Sequence, residues 1–266
     1  MLIILIISGL SAYYLNTYRY EVEYAIDYAK IKLGIVKEYH YQEDNKARSN
    51  SIGHHYLIKG IDISHHQGFI SWDLVKKSNI RFAYIKATQG LKHKDKRFRG
   101  NYKYAQKNGI KVGFYHFFSL DKDGAKQALH LLSTTDFASN LMPYAVDIEY
   151  FRSSDRKTDF ATIKKRRKEI HRFDSTMFVQ TGKHPIIYTQ GQCYTDLIQG
   201  HFLDCPLWIC DWQSTQQPNT ANRHWTLWQY TDKGKIDGIY HNNVDLNVFR
   251  GGEEDFELWS EGIIPK

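Results

Sequence analysis

The sequence has only three cysteines among 266 residues, Cys193, Cys205 and Cys210. Three thiols cannot close a disulfide framework: one pair could form in an exported chain, and one thiol would remain. There is no CxxC pair and no Cys/His cluster at zinc spacing. Proline is scarce, at five residues, and glycine stands at 18, which excludes a collagen-like or linker-dominated chain. Long hydrophobic runs are also missing. The apolar start, MLIILIISGLSAYYL, extends for about fifteen residues, short of the roughly 20 that span a membrane. It fits the apolar core of an export signal, although no basic residue precedes it, or an uncleaved anchor extended through residue 18. No Cys follows the run, so a lipoprotein anchor is not expected.

What is present describes a folded chain. The composition is 42% hydrophobic and 24% charged, which excludes wholesale disorder. At this length a chain buries roughly three quarters of its unfolded surface and needs no staples. Aromatics reach 15%, with 19 Tyr and 6 Trp, and suit a surface that stacks on something flat. Lys and Arg outnumber Asp and Glu by 36 to 29, for a net charge of +7. That balance suits a polyanion: nucleic acid, an anionic membrane face or an acidic wall polymer. The run IKKRRKEIHR (163–172) reads as a solvated helix face. No nucleic-acid-binding motif accompanies it, so a nucleic-acid partner is not expected.

Residues 19–56 read as a spacer, an amphipathic helix (EVEYAIDYAKIKLGIVKEYHY) followed by a polar stretch. From residue 57 the pattern alternates. Strand-length apolar runs stand at 57–64, 81–87, 111–118, 143–150, 184–189, 206–210, 225–230 and 244–249. Helix-like segments lie at 73–78, 99–108, 122–140 and 160–181. Gly109 sits where a helix-ending glycine belongs. Strands alternating with helices imply a largely parallel α/β sheet, here a compact β/α-barrel over 57–250. The later connections are too short for a helix after every strand. Residues 251–266 read as a tail.

In a parallel barrel, chemistry gathers at the strand C-termini. Asp62 lies late in the first strand (GIDISHHQG), Asp147 and Glu149 late in the fourth (AVDIEY), and Asp245 in the last (NNVDLNVF). Asp211 follows PLWIC. Residues i and i+2 of a strand face one side, with Cα atoms roughly 6.5–7 Å apart. Two carboxyls in one pocket oppose each other's ionisation, so one holds a proton near neutrality. A proton-holding acid beside a carboxylate is the apparatus of glycosidic cleavage.

KGIDISHHQG, a following Trp72, FAYIKATQG, VGFYHFF, AVDIEY, IIYT, PLWI, LWQYT and VDLNVF, in that order, resemble the glycoside hydrolase family 25 lysozymes, the N-acetylmuramidases. The likeness runs from about residue 59 to 249. It implies a flattened, TIM-like β/α-barrel with its groove at the strand C-termini. It also implies cleavage of the β-1,4 bond between N-acetylmuramic acid and N-acetylglucosamine in peptidoglycan, with no cofactor and no metal. By resemblance, Glu149 matches the general acid, Asp147 the second acid that orients the substrate's 2-acetamido group, and Asp62 and Asp245 two further groove acids. Gln89 stands where the family's KATEG turn commonly has Glu; CDWQ also departs from the usual segment after PLWI. The implied partner is the peptidoglycan strand, in the envelope or outside the cell, with residues 1–18 as an export signal or membrane tether and a monomer favoured.

Among aromatics, Tyr115, Tyr188 and Trp228 are expected in the groove, with Phe117 and Trp208 as further sugar contacts. The His pairs at 54–55 and 65–66, with His116, do not suggest a metal site, because adjacent strand residues face opposite sides. Two rival functions stay open. A metal-dependent polysaccharide deacetylase needs an Asp/His/His set and would be sensitive to EDTA. A catalytically silent wall-binding module would bind without turnover.

Overall fold

The computed structural model describes residues 21–30, 33–34, 52, 55–156 and 159–263. The apolar run 1–18, the polar end of the spacer and His54 lie outside the described residues. Eight strands close a barrel: β1 (Lys59–Ile63), β2 (Phe82–Gln89), β4 (Lys111–Phe117), β5 (Ala145–Ile148), β6 (Ile186–Gln190), β7 (Leu207–Cys210), β8 (Leu227–Gly234) and β9 (Val244–Phe249). A two-residue β3 (His93–Lys94) folds back on β2. The run from β1 to β8 is parallel, and β9 pairs antiparallel with both β8 and β1. The expectation of strand-end acids needs one correction here. Asp245 stands at the start of β9, not at a C-terminal end. Because β9 runs the other way, its start lies at the same mouth, with Asp245 directly opposite Asp62.

Helices follow the early strands and thin out later. They are α1 (Trp72–Lys77), α2 (Phe98–Lys107), α3 (Gly124–Thr135) and α4 (Phe160–Thr181). Local chemistry sets their ends. Asp123 and Asp159 accept the backbone N–H groups of Lys126 and Thr162 as N-caps, and Gly182, with φ of 73°, ends α4. Such caps are each worth about 1 kcal/mol. After β6 the chain makes only a short helical turn over 191–198, and β7 to β9 are joined by loops.

The two-residue period of the strands sorts side chains into two cores. Outward residues such as Ile61, Ile85, Phe114, Val146, Ile187 and Trp228 pack beneath the helices. Inward residues Phe82, Tyr84, Ile186, Trp208 and Phe249 fill the barrel. Gly60 and Gly113 make room for the large ones: a Cβ on either would run into the ring of Phe82 or Tyr84.

Two outer segments differ from expectation. The supposed tail carries α5 (Glu253–Ser260), whose Phe256 and Trp259 are buried. Both rings pack on Phe249, at 5.4 and 5.1 Å, and so close the lower end of the barrel. The helical part of the spacer, 21–30, docks on the barrel: Tyr24 stacks on Tyr104 of α2 at 3.7 Å. The basic run on α4 is also only partly a solvated face. Arg166 is buried and donates to the backbone carbonyl of Asp155, Arg167 donates to that of Asp196, and Arg172 binds Glu169 and Asp123. Lys164, Lys165 and Lys168 keep access to solvent.

Candidate active site

At the mouth where β1–β8 end and β9 begins lies a cavity of about 450 Å³. Asp62, Asp147, Glu149 and Asp245 all line it, with Tyr115, Phe117, Tyr188 and Trp208. Lys86, Gln190 and Gln229 complete its wall, and His65, His66, Phe151, Trp212 and Asp232 its rim.

The best-anchored carboxyl is Asp62. Its Oδ2 accepts from Gln229 Nε2 at 2.9 Å and Asn247 Nδ2 at 2.7 Å. The orientation of both amides is fixed from behind. Tyr188 Oη and Trp212 Nε1 donate to Gln229 Oε1 at 3.1 and 3.2 Å, and Trp208 Nε1 donates to Asn247 Oδ1 at 2.8 Å. With the amide oxygens occupied as acceptors, the NH₂ groups must face Asp62, so that carboxyl oxygen carries no proton. Asp245 faces Asp62 across the β1–β9 pair. Burial, then the charge of Asp62, pushes Asp245 up to about 9. Asp245 is therefore the proton donor of this pair at neutral pH.

Asp147 and Glu149 form the second pair. Burial raises both. Asp147 is raised further by the charge of Glu149, and its buried Oδ1 has no hydrogen-bond partner among the described residues. Glu149 Oε2 accepts from Gln190 Nε2 at 2.7 Å. Lys86 opposes the rise of both carboxyls. Its Nζ donates to Gln89 Oε1 at 2.8 Å and lies 4.4 Å from the Phe117 ring centre. The departure at Gln89 thus supplies a neutral acceptor for the one ammonium that lines the cavity among the described residues. Two interacting carboxyls in one confined site titrate as a pair and hold one proton over a wide pH range.

One expected groove residue is elsewhere. Trp228 points out of the barrel, fully buried against Trp225, Tyr56 and Tyr230, and donates to the carbonyl of Asp211 at 2.8 Å. Strand parity explains this: its neighbours Leu227 and Gln229 face inward, so Trp228 cannot. Trp228→Ala should therefore cost about 3–5 kcal/mol of stability. Trp228→Phe should unfold a few degrees lower without changing what the cavity binds; weaker ligand binding at full stability would return this residue to the groove.

The remaining candidates resolve into supports. Asp211 accepts from the backbone N–H groups of Gln213, Ser214 and Asn219, which ties a loop rather than arming the cavity. His65–Gln67 form a turn with a Ser64–Gln67 capping box, and His65 Nδ1 lies 2.7 Å from Asp95 Oδ2. His116 is buried beneath α3 between Thr88 and Gln127, at 2.7 and 3.1 Å, and burial lowers it to about 3. It stays neutral. Sequence reasoning passed over Lys86, Gln190, Gln229 and Asn247. Each shares the inward parity of an acid or aromatic already singled out, and that parity was the available signal.

Residues 61–239 match the family model for glycosyl hydrolases family 25. The chain belongs to glycosyl hydrolase family 25. Lysozyme M1 of Streptomyces globisporus is 34% identical over 203 residues, spanning 73% of this chain and 68% of that protein. A family 25 glycosyl hydrolase from Bacillus anthracis superposes with a TM-score of 0.70 at 32% identity, covering 84% of this chain and 98% of the other. The bacterial lysozyme from Streptomyces coelicolor gives 0.69 at 30% identity, over 77% and 98%. The family 25 barrel accounts for the described strands and places all four acids at one mouth.

The buried Asp62–Asp245 pair carries a stability cost with a definite sign. An unfolded aspartate titrates near 3.9, whereas Asp245 holds its proton to about 9. Between those values the native chain binds a proton that the unfolded chain has released, so stability is greatest at the acid end and falls as pH rises through the window. Asp245→Asn keeps a donor toward Asp62 without that proton. It should stabilise the fold at pH 7 by on the order of 2 kcal/mol and flatten the pH dependence of Tm. An unchanged pH slope would show that Asp245 is already ionised in the native state.

Proposed function

We propose that this family 25 glycoside hydrolase cleaves the β-1,4 bond between N-acetylmuramic acid and N-acetylglucosamine with Glu149 as general acid and base and Asp147 as the group that orients the 2-acetamido substituent. The observation that carries the reading is the Asp147–Glu149 pair at the end of β5, which lines the cavity with Asp147 buried, Glu149 half-buried, and the charge of Glu149 raising Asp147.

Before substrate binds, the shared proton rests on Asp147, the carboxyl raised furthest and the one with a partnerless oxygen. An acetamido N–H donated to that oxygen favours its carboxylate form and moves the proton to Glu149. Glu149 then protonates the departing glycosidic oxygen while the acetamido carbonyl oxygen attacks the anomeric carbon. Water, deprotonated by Glu149, opens the resulting ring and restores the proton. Asp62, fixed by two amides, places further negative charge near the oxocarbenium-like transition state, while Asp245, which keeps its proton, lines the cavity as a neutral acid. Phe151, 72% exposed and set edge-on to Phe117 at 5.6 Å, offers a flat apolar platform at the rim.

The substrate places the site of action in the cell envelope or outside the cell, and residues 1–18 serve as the export signal or tether. Among the described residues no helix is long and apolar enough to cross a membrane. The test is digestion of purified peptidoglycan followed by mass spectrometry of the reduced fragments. New reducing-end muramic acid is expected. Reducing-end glucosamine would move the cleaved bond, and no new reducing ends on several peptidoglycan types would support a binding module instead.

A further inference from the structure

At the opposite end of the barrel from the acid cavity, three side chains from three separate segments converge. Asp174 lies in the second half of α4, His184 two residues before β6, and Cys205 two residues before β7. His184 Nδ1 is 2.7 Å from Asp174 Oδ1, and Cys205 Sγ donates to the same oxygen at 3.4 Å. The three donor atoms all lie within 4.8 Å of one another. We propose that Asp174, His184 and Cys205 form a binding site for a divalent zinc-like cation, with water as the fourth ligand, which ties α4 to the lower ends of β6 and β7.

The donor set is mixed sulfur, nitrogen and oxygen, which suits zinc among abundant divalent ions and disfavours magnesium and calcium. A tetrahedral zinc ion at its usual ligand distances needs donor–donor edges of about 3.3–3.7 Å. The Cys205–Asp174 edge is already in that range, and the His184–Asp174 edge must open by about 0.6 Å to reach it. One carboxylate oxygen here gathers two hydrogen-bond donors, an imidazole and a thiol. A dication replaces both protons along those directions. Cys205 gives its proton to solvent, and the Nδ1 proton of His184 is relocated to Nε2, so the ligands become thiolate, neutral imidazole and carboxylate. Access exists: the His184 side chain is 27% exposed and borders a shallow cavity of about 200 Å³.

The neighbouring charges point both ways. Burial and the Asp174 carboxylate push the Cys205 thiol up, so the metal-free site keeps it protonated; Arg223, which donates to the backbone carbonyls of Phe202 and Cys205, opposes that rise and also opposes a cation. Lys183 Nζ is directed to the carbonyl of Glu261. A Cys–His nucleophile is the other chemistry such residues suggest, but the thiol is bonded to Asp174 and not to the imidazole.

The experiment uses the full chain, stripped with a chelator and titrated with Co²⁺ and Zn²⁺. One equivalent of cobalt should give a thiolate-to-metal charge-transfer band and tetrahedral d–d bands, displaced by zinc binding at about 1 µM or tighter. Zinc at about 100 times its Kd should raise Tm by roughly 5–10 °C. Cys205→Ser and His184→Gln, shown folded by circular dichroism in chelator, should lose the band and the Tm shift. Glu149→Gln should retain both, which separates this site from the acid cavity. Cys205→Ser should digest peptidoglycan at the wild-type rate. No stoichiometric binding, no thiolate band, or binding that survives Cys205→Ser would overturn the site, whatever the outcome for the muramidase reading.

Discussion

Glu149→Gln should lower kcat on peptidoglycan by about 10³-fold or more while the fold stays intact. Positioned acid–base groups contribute about 10²–10⁴-fold, and Glu149 is asked to act in both halves of the reaction. The amide is nearly isosteric and keeps an acceptor for Gln190 Nε2, the group now bonded to Oε2 at 2.7 Å. It also removes one of two repelling carboxyls, so Tm should hold or rise. Counting new reducing ends against a folding control by circular dichroism checks this. A loss of activity smaller than about tenfold would move the general-acid role elsewhere. Asp245, a further carboxyl that holds its proton at neutral pH, would be the next candidate.

How far this site could be read in the sequence depended on strand parity. GIDIS and AVDIEY carry acids at the right period, and both strands run in the expected direction, so Asp62, Asp147 and Glu149 reach the mouth as expected. Asp245 reaches it for a different reason, because β9 is reversed. Local pattern does not encode strand direction; a short connection after β8 was the only hint. Trp228 was misread because LWQY offers aromatics on both faces, and only the pairing of Gln229 with Asp62 fixes which face is inside. Phe256 and Trp259 were missed because an eight-residue helix beyond the last strand has no visible partner until the barrel's lower end exists to receive it. The Asp174, His184 and Cys205 cluster was likewise hidden: its members lie ten and 21 residues apart, with no metal-binding spacing, and the barrel alone brings them together.

Asp147→Asn should reduce kcat by about 10²–10³-fold, the scale of losing one preorganised polar contact to a developing charge, with a smaller change in KM. Its pH profile is the sharper readout. In the wild-type chain the productive form of the Asp147–Glu149 pair holds one proton, so activity follows a bell. Below the lower macroscopic pKa a second proton neutralises Asp147, which then no longer accepts the acetamido N–H. Above the upper one Glu149 loses the proton it must donate. Burial and mutual repulsion, only partly offset by Lys86, place the pair above the ordinary carboxylate range. In the Asp147→Asn variant the acid limb should vanish and a single alkaline limb from Glu149 should remain. Two mechanisms predict a loss of rate here, and azide separates them. If Asp147 attacked the sugar directly, Asp147→Ala would be rescued by azide as a glycosyl azide, and a slow substrate would leave a sugar adduct on the wild-type carboxylate. If the acetamido oxygen is the nucleophile, neither product forms, and a substrate lacking that group is cleaved no faster by the wild-type chain than by the amide variant. A trapped aspartyl ester would overturn the assisted route while leaving Glu149 as the acid.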